Sequence, residues 1–146
     1  VKIVKALKKI ARLKGEIKEL KKRISSSLNT VKGNDFEELF DTLDAELAAK
    51  TNEMMGLKEA VMKANIAGGV FGKILKMGEL KSLLDFYREL EPKNGVQENW
   101  RNDIAIEYVS QLTRVRKNEI VSGRQQEIND ISDELDTFNA TTDIVI

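Results

Sequence analysis

The sequence predicts a mainly α protein: an elongated antiparallel helical bundle built on a coiled-coil hairpin, with a short β segment near 103–110. Three observations predict it. Ile3, Ile10, Ile17, Ile24 and Val31 recur every seventh residue, with Ala6, Leu13 and Leu20 between them, which is the a and d pattern of a coiled-coil seam. Two further pairs of such rows recur in the middle and at the end of the chain. Charged residues make up 33% of the 146 and aromatics only 5%, with a single Pro, a balance that suits long helices with narrow apolar stripes. A helix with so narrow a stripe is not stable alone in water, so its fold depends on what covers that stripe.

The first helix is expected from Ile3 towards Val31. It holds ten basic residues against Glu16 and Glu19 over positions 1–24. The serines Ser25 to Ser27 weaken it and Gly33-Asn34 ends it. Asn34 or Asp35 is then placed to cap a second helix from about Asp35 to Asn65, with Glu37 and Glu38 near its positive end. Its rows are Phe36, Leu43, Leu57 and Ala64, and Phe40, Leu47, Met54 and Val61, with Lys50 standing where an apolar residue is expected. The short connection at 32–34 makes these two helices an antiparallel hairpin.

Gly68, Gly69 and Gly72 mark the clearest break in the chain. A third helix follows from about Lys73 to Glu91, carrying Leu75, Leu80, Leu83, Leu84, Tyr87 and Leu90, and stops at Pro92. Lys93 to Asn102 reads as an exposed loop with a turn at Asn94-Gly95. Ile104, Ile106 and Tyr108 alternate with Ala105 and Glu107 and predict a short strand, although Ile104, Tyr108 and Leu112 would also line a helix face. The last helix is expected over about Thr113 to Phe138, with Val121, Ile128 and Leu135 on one row and Ile131 and Phe138 on the other, interrupted at Arg124. The domain plan is thus one helical domain over 1–146: a hairpin at 2–65, a loop, helix and loop at 66–112, and a helix and tail at 113–146.

Composition removes most chemistry. There is no Cys and no His among the 146 residues, hence no disulfide, thiolate, imidazole base or ordinary zinc site, and no metal, cofactor or enzymatic activity is expected. Lys2, Lys5, Lys8 and Lys9 break up any apolar leader at the amino end, and a cytoplasmic protein is the expectation. Net charge is zero, but its distribution is not even: from Gln125 onward there are Glu127, Asp130, Asp133, Glu134, Asp136 and Asp143 and no basic residue. The two ends are electrostatic complements, and a pairing between them would weaken with salt.

Four stretches invite a sharper reading. Ala67 to Ile74 superficially resembles a phosphate-binding loop, but it lacks the first Gly and the hydroxyl that holds magnesium, so a helix-breaking turn is preferred. The basic face of the first helix could release counterions from nucleic acid or an anionic membrane, yet acids elsewhere balance it and no aromatic residues interleave with the lysines. Asp130, Asp133, Glu134 and Asp136 lie within two turns, without the matching acidic helix a metal centre would need. Trp100 and the ending Ile144-Val145-Ile146 are apolar without a seam of their own, and docking of that ending into a neighbouring subunit is favoured over local packing.

In pattern the chain resembles the small bacterial helical proteins labelled septicolysin. The resemblance rests on the Lys-rich heptad opening, the second helix ending near Lys63-Ala64-Asn65, the Gly-containing loop, the Ile104-Ala105-Ile106 segment and the ending from Phe138 to Ile144. Members of that family carry Trp where Ala140 stands. The resemblance implies a helical homo-oligomer, with a hexamer as one candidate assembly, and brings no catalytic residue. The expected function is therefore a structural or interaction role as a self-associating coiled coil. The alternative is a nucleic-acid-binding module using the first helix, with nucleic acid and membrane the less favoured partners. The residues expected to form seams and oligomer contacts are Ile3, Ile10, Leu13, Ile17, Leu20, Ile24, Leu43, Leu47, Leu57, Ile128, Ile131, Leu135 and Phe138. Asn139, Thr141, Thr142 and Ile144 are expected to make tail contacts.

Overall fold

Residues 1–99 and 104–146 are described by the structure, a computed structural model. Trp100 lies outside the described residues. Among those described there are four helices and one two-stranded antiparallel sheet, a mainly helical bundle with a short β segment.

Helix α1 (Ile3–Ser27) forms on the heptad seam and stops short of Val31, which is 72% exposed. The reason is local: Ser26 and Ser27 hydroxyls donate back to the Arg23 carbonyl at 3.2 and 2.5 Å, competing with the helical ladder. Helix α2 (Phe40–Ala67) begins later than the expected Asp35. Neither Asn34 nor Asp35 caps it; the extended Leu39 precedes it with no side-chain cap. Glu38 accepts from Arg23 Nε at 3.1 and 3.2 Å, which ties the entering chain to α1 instead of letting it wind. The antiparallel hairpin stands nonetheless, cross-braced by Arg23 to Glu38, by Lys50 to Glu16 at 2.9 Å and by Lys9 to Glu53 at 2.5 Å. Lys50 therefore fills its seam position by reaching an acid on α1.

The end of α2 shows why the glycines are there. Gly69 adopts φ 71°, a left-handed conformation that side chains other than glycine's rarely accept. With it the Val70 amide donates to the Asn65 carbonyl and the Gly69 amide to the Ile66 carbonyl, both at 3.1 Å, while Val70 is buried. These are the two bonds of a Schellman cap.

Helix α3 (Phe71–Glu89) follows at once, starting and stopping two residues earlier than expected. Strand β1 (Gly95–Asn99) then pairs with β2 (Ile104–Tyr108) in the register Gly95 to Tyr108 and Asn99 to Ile104. The strand reading of 104–108 holds over the helical one. The loop expected from Lys93 to Asn102 is corrected, because β2 needs a partner for its backbone groups and 95–99 supplies it. Asn94 Oδ1 accepts from the Ser110 amide at 2.9 Å and Lys93 Nζ lies 5.6 Å from the Tyr108 ring centre, closing the base of the hairpin. Helix α4 (Arg114–Thr141) is capped by Thr113, whose Oγ1 accepts from the Arg116 amide at 3.1 Å, and runs past Phe138 to take in Asn139 and Thr141.

The chain divides into two compact units, Val1–Phe71 with Asp136–Ile146, and Gly72–Leu135. The tail thus belongs with the hairpin. In the first unit Ile3, Ala6, Ile10 and Leu13 of α1 meet Leu57, Ala60 and Val61 of α2 and Ile144 of the tail in one buried cluster, with Met54, Ala64 and Phe138 packed against it. In the second unit the buried apolar residues are Leu80 and Leu84 on α3 and Ile128, Ile131 and Leu135 on α4. There α3 and α4 run antiparallel, joined by ion pairs of Lys73 with Glu134 and of Lys76 with Glu127 at 3.2 Å, and by Lys117 Nζ donating to the Arg88 carbonyl at 2.9 Å.

Candidate interaction surfaces

The seam residues divide by what covers them. Ile3, Ile10, Leu13, Ile17, Leu20, Leu43, Leu57, Ile128, Ile131 and Leu135 are buried within this single chain, while Ile24, Leu47 and Phe138 are half-buried. Of the second helix's expected rows, Phe36 and Phe40 stay 53% and 51% exposed, because α2 starts only at Phe40. Ala60, which lies on neither expected row, is buried; its position one turn after Leu57 was the available signal.

The tail residues are brought together at one place. The Thr142 carbonyl accepts from the Ile3 amide and the Val1 carbonyl from the Ile144 amide, each at 2.9 Å, so Lys2 and Asp143 face one another in a single antiparallel bridge. The Lys2 ammonium donates to Asp143 Oδ2 at 2.7 Å and to the Thr141 carbonyl at 3.2 Å. That hydrogen bond, with the positive charge behind it, holds the Asp143 carboxyl below its usual range. Ile144 is buried in the chain's own core, Asn139 is half-buried, and Val145 and Ile146 stand 90% and 85% exposed. Beneath this clasp the Phe138 ring lies over Gly68, where an added Cβ would meet ring atoms at 2.3 and 2.4 Å. Sequence reasoning passed over that contact, since nothing local couples positions 68 and 138.

Several apolar groups remain in water. On α3, Leu75, Leu83 and Phe86 are 58%, 44% and 55% exposed; Leu75 and Phe86 lie opposite buried Leu80 and Leu84, and Leu83 on the flank between them. Gly78 and Ser82, both small, lie on the same outer face. The far end of the α1/α2 hairpin exposes Leu28, Phe36, Leu39 and Phe40 around a cleft of about 270 Å³. On α2, Met55, Met62 and Ile66 form an exposed row.

The charged groups are arranged differently from the sequence expectation. Glu127 and Glu134 of α4 pair with lysines of α3, whereas Asp143 meets Lys2 just before α1. Glu38 and Glu53 are held below the ordinary carboxylate range by hydrogen bonds from Arg23 and Lys9. The glycine-rich turn is no phosphate cradle: the Gly69 and Val70 amides are spent on the α2 cap, and Lys73 pairs with Glu134. Asp130 accepts from Gln126 at 2.8 Å, and no group of three or more acids among the described residues is placed to hold a metal ion. Among the described residues no helix is long and apolar enough to cross a membrane.

A helical hairpin clasped by its own tail, followed by a helix pair carrying a β hairpin, is the class of fold these observations define. The chain is similar over 99% of its length, and 99% of the other's, to the crystal structure of a functionally unknown conserved protein from Corynebacterium diphtheriae, with a TM-score of 0.70 at 13% identity. That likeness concerns the fold. No protein-family model and no curated protein matches the sequence.

Proposed function

We propose that this protein has a structural or interaction role as a self-associating homo-oligomer, and that a second copy covers the outer face of α3. The observation that supports it is the two-sided apolar pattern of that helix: Leu80 and Leu84 are buried, while Leu75 and Phe86 face water on the other side and Leu83 on the flank. A helix apolar on both faces belongs between two neighbours. Covering each of those three side chains is worth on the order of 1 kcal/mol, given what they already bury. The small Gly78 and Ser82 let a second helix approach closely there, and the resemblance to an oligomeric helical family points the same way.

Static light scattering at micromolar concentration tests this. The wild type is expected at a multiple of the 16.5 kDa chain mass, and Leu75→Asp with Phe86→Asp at the mass of one chain with unchanged helix content. A wild-type particle of one chain mass would refute the reading.

A further inference from the structure

The exposed side of α1 presents an unusual concentration of charge. Lys5, Lys8, Lys14, Lys18, Lys21 and Lys22 are all exposed, and none has an acidic partner among the described residues. Acids elsewhere in the chain neutralise only part of this helix's charge. Glu53 and Glu38 engage Lys9 and Arg23, Glu16 is taken by Lys50 and Arg12, and the α4 acids Glu127 and Glu134 are taken by lysines of α3. Glu19 is the one acid left on this face.

The exposed cations follow one another along the whole helix, from Lys5 and Lys8 through Arg12 and Lys14 to Lys18, Lys21 and Lys22, with Ala11 and Gly15 among them on the solvent crest. An added Cβ at Gly15 would meet nothing within 4 Å, so the crest is low and open. Buried Ile10, Leu13, Ile17 and Leu20 fix the helix from behind. Bases have no aromatic side chain here to stack on, and the face lacks the broad apolar stripe that would enter a lipid surface.

We propose that this face of α1 binds the phosphodiester backbone of a nucleic-acid duplex without reading sequence. It stands apart from the self-association reading and needs no contact on α3.

Binding of the full chain to a 20-base-pair DNA duplex and to an RNA duplex of the same sequence, followed by fluorescence anisotropy at several salt concentrations, tests it. Binding to either duplex at about 50 mM salt is expected, weakening steeply as salt rises. Which duplex binds identifies the source of the phosphates. Lys8→Glu with Lys21→Glu is expected to lower affinity more than tenfold and to flatten the salt slope by about 2, while Lys58→Glu with Lys81→Glu, an equal charge change on other helices, leaves both nearly unchanged. No duplex binding at low salt, an equal loss in the control variant, or binding to phosphatidylserine vesicles but to neither duplex would each overturn the proposal. Circular dichroism on both variants confirms that they are folded.

Discussion

The two units of this chain cover their apolar residues to different depths, although the first also leaves Leu28, Phe36, Leu39 and Phe40 in water. The first unit draws α1, α2 and the tail into one cluster, with Ile3 wholly buried and Leu13 nearly so. The second unit buries single rows on α3 and α4, leaves Leu75, Leu83 and Phe86 in water, and carries a β hairpin whose Val96, Ile106 and Tyr108 are exposed as well. A two-stranded hairpin with wet faces has little stability of its own. The lesson is that heptad spacing alone does not say where partners are needed. The best seam in the sequence is closed within the chain from Ile3 to Leu20, while Leu75, Leu83 and Phe86, where the pattern is weaker, stay in water.

This contrast can be broken most sharply from the first unit. Ile17→Asp places a charge in the buried part of α1 with no partner, and a loss of more than about 4 kcal/mol is expected, read as collapse of the thermal transition. Truncation of the tail anchor comes next. Ile144→Ala should cost about 2–4 kcal/mol in urea melts, because Ile144 is part of the core cluster; a loss under about 0.5 kcal/mol would show that the tail is an appendage. Gly68→Ala forces the Phe138 ring aside, for an expected loss of about 1–3 kcal/mol, whereas Gly123→Ala in the second unit meets nothing within 4 Å and should leave the melting transition unchanged or raise it.

The smallest effect expected is in pH. Asp143, Glu38 and Glu53 have native carboxyls held below their ordinary values by Lys2, Arg23 and Lys9. Their stabilising effect is complete above the ordinary carboxylate range near pH 4 and is lost as pH falls through the lowered native values. Since all three are well exposed, the expected drop in melting temperature below pH 4 is modest, shrinks with added salt, and is absent for the Asp143 part in Asp143→Asn. Amide exchange along Ile3 and Ile144 would register the same change locally.

Much of this was legible in the residues. The α1 seam from Ile3 to Leu20, the break at Gly68-Gly69, the strand at 104–108 and the last helix all lie where spacing and turn chemistry put them. What was not legible depends on distant partners. Arg23 captures Glu38 and delays α2, the segment 95–99 becomes a strand because β2 needs one, and Phe138 crosses Gly68. The basic face was visible as a run of lysines, but whether acids neutralise it could be decided only by seeing Glu127 and Glu134 turned to α3.

By itself the sequence determined that this is a helical protein with one continuous seam, no thiol or imidazole chemistry, and charge of opposite sign at its two ends. Periodicity, capping and composition act over a few residues, and they fix helices and their apolar sides. The tertiary structure decided which of those sides are already covered, because burial is a contact between residues far apart in the chain. It placed Ile144 in the core beside Ile3 and left Leu75, Leu83 and Phe86 in water.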